Sequence, residues 1–207
     1  INSAKKDIFI AGADIKEIAA FEKSEEVYEA LLKGHKVLDK LENLAIPTIA
    51  YINGACMGGG LELALTCKYR VASTNSKTVL SFPEIQLGFF PGLGGTIRTP
   101  KLIGLIASLD LILSAKKIDA KKAYRIGLVD EIFHDGQKKF KLENFIQNVL
   151  SNKIKPKKAK NSFLEYFSFT RAYIYKKAYK SLEKKVNKDF ISPYKALEVI
   201  KKTFKTN

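Results

Sequence analysis

The apolar positions of this chain alternate between short, mostly apolar runs and longer stretches in which they recur at helical spacing. The short runs predict β-strands at Asp7–Ala11, Thr48–Ile52, Tyr69–Ala72, Thr78–Phe82 and Leu128–Phe133. The longer stretches and runs of helix formers predict helices at Ser24–Asn43, Leu61–Cys67, Pro100–Ser114 and Asp119–Ile126. This alternation of strands and helices favours an α/β fold with parallel strands. The apolar run Thr48–Ile52 predicts a strand that is buried on both faces.

The ends of two predicted helices carry recognisable signals. Ser24 is a candidate N-cap of the first long helix, and Asp119 is expected to cap the last one. Gly127 is expected to end that last helix. The first long helix is predicted to bury the face formed by Val27, Leu31, Leu38 and Leu41.

Charge divides the chain more sharply than hydrophobicity does. Of the 207 residues, 46% are apolar, which excludes disorder for most of the chain and fits one domain with an appendage. The whole chain has 36 Lys and Arg against 21 Asp and Glu, but residues 1–137 are nearly balanced at +1 and residues 138–207 carry +14. We therefore predict a globular core over residues 1–137, followed by a basic helical tail over residues 138–207. Within the tail, Lys153–Lys160 resembles a solvated hinge.

The basic tail also holds 12 of the 22 aromatic residues. One of its helical faces is predicted to pack on protein, because leaving many aromatic side chains in water is costly. That face is formed by Phe163, Phe167, Ile174 and Ala178. The sequence contains no apolar run long enough to span a membrane. Cys56 and Cys67 are too few for a disulfide framework, which favours a reducing compartment.

The first chemical signal is a glycine run, Gly58–Gly60, that directly precedes a predicted helix. The backbone N–H groups of a first helical turn lack partners inside the helix, so they suit an anion or a developing oxyanion. An equally good interpretation is a turn that lets a strand and a helix pack closely. The run is not a phosphate-binding loop, because no Gly-Lys-Ser/Thr follows it.

Two glutamates in apolar surroundings form the second signal. Glu62 directly follows the glycine run, and Glu84 follows a predicted strand and a proline. Burial raises a glutamate pKa towards neutrality and suits it to proton transfer. The alternatives are a solvent-facing helical residue for Glu62 and an ordinary turn residue for Glu84.

Weaker signals lie elsewhere in the chain. The segment Gly12–Asp14 ends a predicted strand and could present another free N–H. The glycine-rich turn Pro91–Gly95 could cradle a ligand or merely shape a corner. His35 and His134 are predicted to be surface residues, and the spacing of the two cysteines without partner histidines argues against a zinc site.

Four segments together resemble the crotonase, or enoyl-CoA hydratase/isomerase, superfamily. They are FIAGADI at Phe9–Ile15, INGACMGGGLELAL at Ile52–Leu65, FPEIQLGFFPGLGGTIR at Phe82–Arg98 and AYRIGLVDEIF at Ala123–Phe133. The spacing of Glu62 and Glu84 and the tail segment SPYKALEVIKKT most resemble the hydratase part of fatty-acid oxidation complex α-subunits. The resemblance implies a crotonase-like α/β fold of stacked ββα units, followed by the helical basic tail.

The resemblance also implies roles for individual residues. Glu62 and Glu84 match the two catalytic glutamates, with Glu62 acting on the water and Glu84 on the C2 proton. The N–H groups of Ala13 and Gly59 match an oxyanion hole for the thioester carbonyl. The implied activity is hydration of 2-enoyl-CoA thioesters, with Δ3-Δ2 isomerisation as an open addition. Substrate contacts are implied for Gly12, Asp14, Gly58, Gly60, Pro91 and Gly92.

The implied partners are an acyl-CoA substrate, dehydrogenase domains of the same polypeptide and a thiolase subunit, in an oligomer of the bacterial cytoplasm or mitochondrial matrix. No metal or cofactor is implied, since coenzyme A belongs to the substrate. The chain does not begin with Met, so we expect a fragment that lacks an N-terminal segment and the dehydrogenase domains. Two other functions stay open: a non-catalytic assembly module, or a binder of anionic surfaces through the basic tail. The tail's single Arg argues against specific nucleic-acid recognition, whereas peripheral membrane contact stays open.

Overall fold

The computed structural model describes residues 1–14, 20–157, 163–187 and 189–204, with the side chains of residues 163 and 164 excluded. Its strands are β1 (Ile8–Ile10), β2 (Ile49–Ile52), β3 (Ala55–Met57), β4 (Tyr69–Ser73), β5 (Val79–Ser81), β6 (Ile118–Asp119) and β7 (Glu131–Phe133). Its α-helices are α1 (Ser24–Glu42), α2 (Gly59–Thr66), α3 (Gly95–Ile103), α4 (Leu105–Ser114), α5 (Ala120–Ile126), α6 (Lys138–Leu150), α7 (Phe163–Tyr166), α8 (Ser168–Lys185) and α9 (Ser192–Thr203). Short 3₁₀ helices span Pro83–Leu87 and Asp135–Gln137.

The strands form two sheets, and helices connect and cover them. One sheet has the order β1-β3-β5-β6, in which β1, β3 and β5 are parallel and β6 is antiparallel to β5. The other has the order β2-β4-β7 and is wholly parallel. The predicted α/β fold with parallel strands is thus confirmed. Strand β2 is also largely buried, as its apolar run predicts.

Two elements of the core differ from the predictions. The single helix predicted for Pro100–Ser114 is two helices, α3 and α4, because Gly104 between them has a φ of +83°. Strands β3 and β6, each only two or three residues long, were not predicted. Both predictions for the ends of α5 are confirmed. The Asp119 side chain accepts a hydrogen bond from the Lys122 N–H at 2.6 Å, and Gly127 ends α5 with a φ of +84°.

Helix α1 buries less of its predicted face than expected. Leu38 is 5% exposed, but Val27 and Leu31 are 37% and 36% exposed. The helix begins at Ser24, and the Glu26 carboxylate accepts hydrogen bonds from the Glu22 and Lys23 N–H groups at 3.1 and 3.5 Å. The N-terminal end of α1 is therefore tied by Glu26, and the prediction that Ser24 caps it is wrong.

The basic tail packs on the core of the molecule. Buried residues of α8 and α9 belong to the same apolar cluster as the strands of the four-stranded sheet. The buried positions of α8 are Tyr175 and Leu182, with Ile174 and Ala178 packed partly against the cluster. Phe167, which was predicted to pack on protein, is 42% exposed, and the side chain of Phe163 lies outside the described residues. The tail packs on the core as predicted, through Ile174 and Ala178 of the predicted face, whereas Phe167 lies between α7 and α8.

The predicted hinge at Lys153–Lys160 is held against the core where it is described. Tyr69 donates its hydroxyl to the Ile154 carbonyl at 3.0 Å, and the Lys157 N–H donates to the Asp130 carboxylate at 3.0 Å. The Lys157 ammonium lies 3.5 Å from the centre of the Tyr124 ring. These contacts make residues 154–157 an ordered connection, so the interpretation as a solvated hinge is wrong there. Lys158–Lys160 lie outside the described residues.

Candidate active site

The three candidate site segments each follow one of three neighbouring parallel strands. Strand β1 leads to Gly12–Asp14, β3 leads to Gly58–Gly60, and β5 leads to Glu84. Residues Ile8 and Ile10 pair with Ala55 and Cys56, and Cys56 and Met57 pair with Leu80 and Ser81. The carboxyl ends of parallel strands lie at the same edge of a sheet, so segments that are distant in sequence meet here.

The glycines after β3 have different structural tasks. Gly58 has a φ of +54°, and a Cβ there would lie 2.7 Å from Glu84 Oε1, so a side chain would displace that carboxylate. A Cβ on Gly60 would collide with the Ile10 carbonyl oxygen, so this glycine lets α2 approach β1. Gly59 begins α2. The packing interpretation therefore holds for Gly60, whereas Gly58 makes room for a carboxylate.

Glu62 is enclosed by protein and held by backbone donors. Glu62 is only 2% exposed, and its Oε1 accepts hydrogen bonds from the Leu93 and Gly95 N–H groups, both at 2.7 Å. Burial raises the pKa of Glu62 to about 7, although the two hydrogen bonds and the positive charge of Arg98 oppose the rise. The interpretation of Glu62 as a solvent-facing helical residue is therefore wrong.

Glu84 is partly buried on the 3₁₀ helix Pro83–Leu87, and its carboxylate lies against Gly58. Its Oε2 is buried and accepts no hydrogen bond from the described residues. Burial raises the pKa of Glu84 to about 7, and the negative charge of Glu62 adds to the rise. The Glu62 carboxyl therefore lies close enough to influence the pKa of Glu84. Such a pair can exchange protons near neutral pH.

The turn that binds Glu62 is fixed by Arg98, which sequence reasoning missed. Arg98 donates to the Leu93 carbonyl at 2.8 Å and forms salt bridges with Asp39 and Glu42 of α1 at 3.2 and 2.7 Å. His35 of α1 also reaches this turn, with its Nε2 2.8 Å from the Gly92 carbonyl oxygen. The prediction that His35 is a plain surface residue is therefore wrong. A signal was available for Arg98, since it is one of only four arginines in a lysine-rich chain.

The other predicted site residues lie around this pair. Gly12 has a φ of +106°, and a Cβ there would lie 3.6 Å from the Met57 carbonyl oxygen, so the loop after β1 runs beside the residue that precedes Gly58. Ala13 and Asp14, next in the chain, are exposed. Ile15 of the same motif lies outside the described residues. That the Ala13 and Gly59 N–H groups point toward the same oxyanion stays a prediction.

Pro91 and Gly92 shape the turn that holds Glu62. Pro91 lies against Gly95, since a Cβ added to Gly95 would be 2.8 Å from the Pro91 Cβ. Gly92 faces α1, since a Cβ there would lie 3.2 Å from a methyl carbon of Leu31. Whether either residue contacts a substrate stays a prediction.

Among the described residues, no group of three or more His, Cys, Asp or Glu side chains could hold a metal ion. No described helix is long and apolar enough to cross a membrane. Cys56 and Cys67 are free, buried thiols, and burial raises the pKa of both. Buried thiols with raised pKa values are weak nucleophiles.

Comparison with protein families gives a match over nearly the whole chain. The sequence profile of the enoyl-CoA hydratase/isomerase family matches residues 1–203. The chain is 42% identical over 205 residues to the fatty acid oxidation complex subunit alpha of Shewanella loihica. It is 41% identical over 203 residues to the same subunit of Shewanella baltica. These matches cover 97% and 96% of this chain but only 29% and 28% of the relatives, so the chain spans under a third of their length.

Solved structures with the same fold include two bacterial proteins. An enoyl-CoA hydratase from Bacillus anthracis superimposes with a TM-score of 0.67 at 29% identity, covering 98% of this chain and 69% of that one. DspI from Pseudomonas aeruginosa superimposes with a TM-score of 0.65 at 30% identity, covering 75% of this chain and 57% of that one.

Proposed function

Because the chain belongs to the enoyl-CoA hydratase/isomerase family, we propose that it adds water across the C2=C3 double bond of 2-enoyl-CoA thioesters. The observation that carries this proposal is the pair of carboxyls with pKa values raised to about 7, Glu62 and Glu84, at one edge of the four-stranded sheet. A pair of this kind can hold one proton and accept another near neutral pH. The reaction would be a step in fatty-acid β-oxidation.

Glu62 acts on the water in this proposal. Its Oε1 is bound by two backbone N–H groups, which leaves Oε2 to accept a proton from water. The water oxygen forms a bond to C3 while its proton passes to Glu62. The electron pair of the double bond moves toward the thioester carbonyl, where an enolate-like oxyanion develops.

The developing oxyanion needs donors that are already in place. Backbone N–H groups at the start of a helix serve this purpose, and Gly59 begins α2. We assign the second donor to Ala13. The protonated Glu84 carboxyl then gives its proton to C2, which completes a β-hydroxyacyl thioester. The two carboxyls exchange their proton states before the next turnover.

The same site supports isomerisation through Glu84. Moving a Δ3 double bond to Δ2 requires a proton to leave C2 and another to arrive at C4, with no attacking water. Glu84 has a carboxylate oxygen that no described residue binds, so it is free to carry that proton. Since the curated relatives are named as subunits of a fatty acid oxidation complex, we further propose acyl-CoA substrates, dehydrogenase and thiolase partners and a bacterial cytoplasmic location.

Hydration of crotonyl-CoA by the purified protein tests the proposal directly. The reaction is followed as the loss of enoyl absorbance, and the 3-hydroxybutyryl product is identified by mass. We expect catalysis by the parent and its loss in the double variant Glu62→Gln/Glu84→Gln. Glu143→Gln, the same change at an exposed position of α6, is the matched control and should retain parental activity. A parent with no activity above the uncatalysed rate would leave the chain as a non-catalytic module.

A further inference from the structure

The start of α9 makes a buried contact with the element that carries Glu84. Ser192 Oγ donates a hydrogen bond to the Ile85 carbonyl at 3.2 Å, across 107 residues of sequence. Both residues are buried, with exposures of 5% and 4%. Serine at a helix start commonly caps its own helix, but no side chain caps α9. The Ser192 hydroxyl is therefore used to bind a different element.

Ile85 is the residue next to Glu84, so its carbonyl belongs to the peptide units that set the direction of the glutamate. The same carbonyl also accepts the Gly88 N–H at 3.4 Å, and the Glu84 carbonyl accepts the Phe89 N–H at 3.0 Å. Gly88 has a φ of +85°, and a Cβ there would lie 4.0 Å from the Phe190 ring. Residues 190–192 thus contact both the middle and the end of this short helix.

Helix α9 also supports the element that binds Glu62. It packs against α3 and α4, and its buried residues Ala196, Leu197 and Ile200 belong to the main apolar cluster. Helix α3 begins with Gly95, whose N–H donates to Glu62. One tail helix therefore braces the supports of both glutamates, and Ser192 makes its polar contact on the Glu84 side.

We infer that Ser192 is a positioning residue for Glu84, holding the 3₁₀ helix Pro83–Leu87 so that the carboxyl faces the reacting C2 atom. This inference rests on the proposed function. A short helix has few hydrogen bonds of its own, so one bond from outside has a large share in fixing it. If the bond is lost, the helix can shift and Glu84 gains access to water. Because burial is the main cause of its raised pKa, that pKa then falls.

Two substitutions of Ser192 and one control test the inference, with crotonyl-CoA hydration measured from pH 5 to 9. Ser192→Ala removes the donor and should lower kcat by about 3- to 10-fold, which corresponds to one hydrogen bond, with little change in KM. Its pH–rate profile should show lower apparent pKa values for the coupled carboxyls Glu62 and Glu84. Ser192→Thr keeps a hydroxyl and should restore both the parental kcat and the parental pH–rate profile. Ser181→Ala, at an exposed position of α8, is the matched control.

Other outcomes separate this inference from the proposed function. A lower Vmax with an unchanged pH profile would mean that less enzyme is folded, and it would overturn the positioning role. If the alanine variant does not fold, Ser192→Cys keeps the volume with a weaker donor and reports the same step. Hydrogen exchange at the Gly88 and Phe89 amides, measured without substrate, should be faster in Ser192→Ala than in the parent. If the parent is inactive, the proposed function fails, and unchanged exchange would then also overturn the contact itself.

Discussion

Glu62 and Glu84 lie in two regions of one site that hold their carboxyls in different ways. Around Glu62, two N–H groups bind one carboxylate oxygen, and Arg98 ties the donor turn to α1. Around Glu84, the described residues offer no donor for Oε2, and the supporting element is a single 3₁₀ turn held from outside by Ser192. The first region binds one carboxylate oxygen of Glu62 and leaves its Oε2 for water, whereas the second leaves Glu84 Oε2 buried without a donor among the described residues.

The two regions reach the same pKa by different balances. For Glu62, strong desolvation is opposed by hydrogen bonds and by a positive charge. For Glu84, milder burial is opposed only by a hydrogen bond from its own backbone and is reinforced by the charge of Glu62. A similar pKa therefore does not mean a similar environment. Substitutions that change the surroundings should affect the two carboxyls differently.

The largest expected effect comes from replacing each glutamate by glutamine, which keeps the size of the side chain but cannot accept a proton. Glu62→Gln should lower crotonyl-CoA hydration by about 10²–10⁴-fold and affect isomerisation of a 3-enoyl-CoA less. Glu84→Gln should damage both reactions, because both move a proton at C2. Substrate binding, measured by titration calorimetry, should change little in either variant.

These two variants can also show that the roles of Glu62 and Glu84 differ from the proposed ones. If Glu84→Gln spares isomerisation and Glu62→Gln abolishes it, the roles of the two glutamates are exchanged. Hydration by Glu62→Gln within a few-fold of the parent would contradict the two-carboxylate mechanism.

The second prediction concerns stability and pH in the enclosed region. The pKa of Glu62 rises from 4.5 to about 7 on folding, so the folded state disfavours the ionised carboxylate. No penalty exists below about pH 4.5, where the group is protonated in both states, and the penalty reaches about 3 kcal/mol above pH 7. Glu62→Gln removes it. We expect the melting temperature of the variant, relative to the parent, to increase between pH 5 and pH 8. A difference that is constant with pH would show that Glu62 is hydrated in the folded protein.

The third prediction tests the close contact between Gly58 and Glu84. Gly58→Ala places a Cβ 2.7 Å from Glu84 Oε1 at a φ of +54°, so both the backbone and the carboxylate are strained. We expect a loss of about 1–3 kcal/mol in unfolding free energy, together with a clear loss of hydration rate. Gly59→Ala is the control for stability, because its Cβ meets only a Leu93 methyl carbon at 3.8 Å. Equal denaturant midpoints for the two variants would contradict the contact.

The smallest effect is expected from Arg98, which acts on Glu62 through charge and through the turn. Its positive charge lowers the pKa of Glu62, so Arg98→Gln should raise that pKa further above its ordinary value. The acid limb of the hydration profile should move to higher pH, and activity lost at pH 7 should return above pH 8. Arg125→Gln, at an exposed position, provides the control. A profile that does not move would assign Arg98 to packing alone.

Features set by a few neighbouring residues could be predicted from the sequence. The cap by Asp119 and the stop at Gly127 depend on hydrogen bonds and conformations within one helix. The break at Gly104 was missed, because part of its support comes from sixty residues away. There the buried Glu165 carboxylate accepts the Leu105 and Ile106 N–H groups at 3.0 and 3.1 Å and so caps α4.

The sequence by itself determined most of the elements, the glycine run, the two glutamates and the family to which they belong, because spacing and residue type are local properties. Only the tertiary structure decided that Glu62 is enclosed, that Arg98 and His35 hold its turn, and that the tail buries Tyr175 instead of Phe167. The physical reason is that the burial of a side chain depends on which helices and loops, distant in sequence, pack against it. A carboxyl pKa follows that burial, and no pattern along the chain measures it.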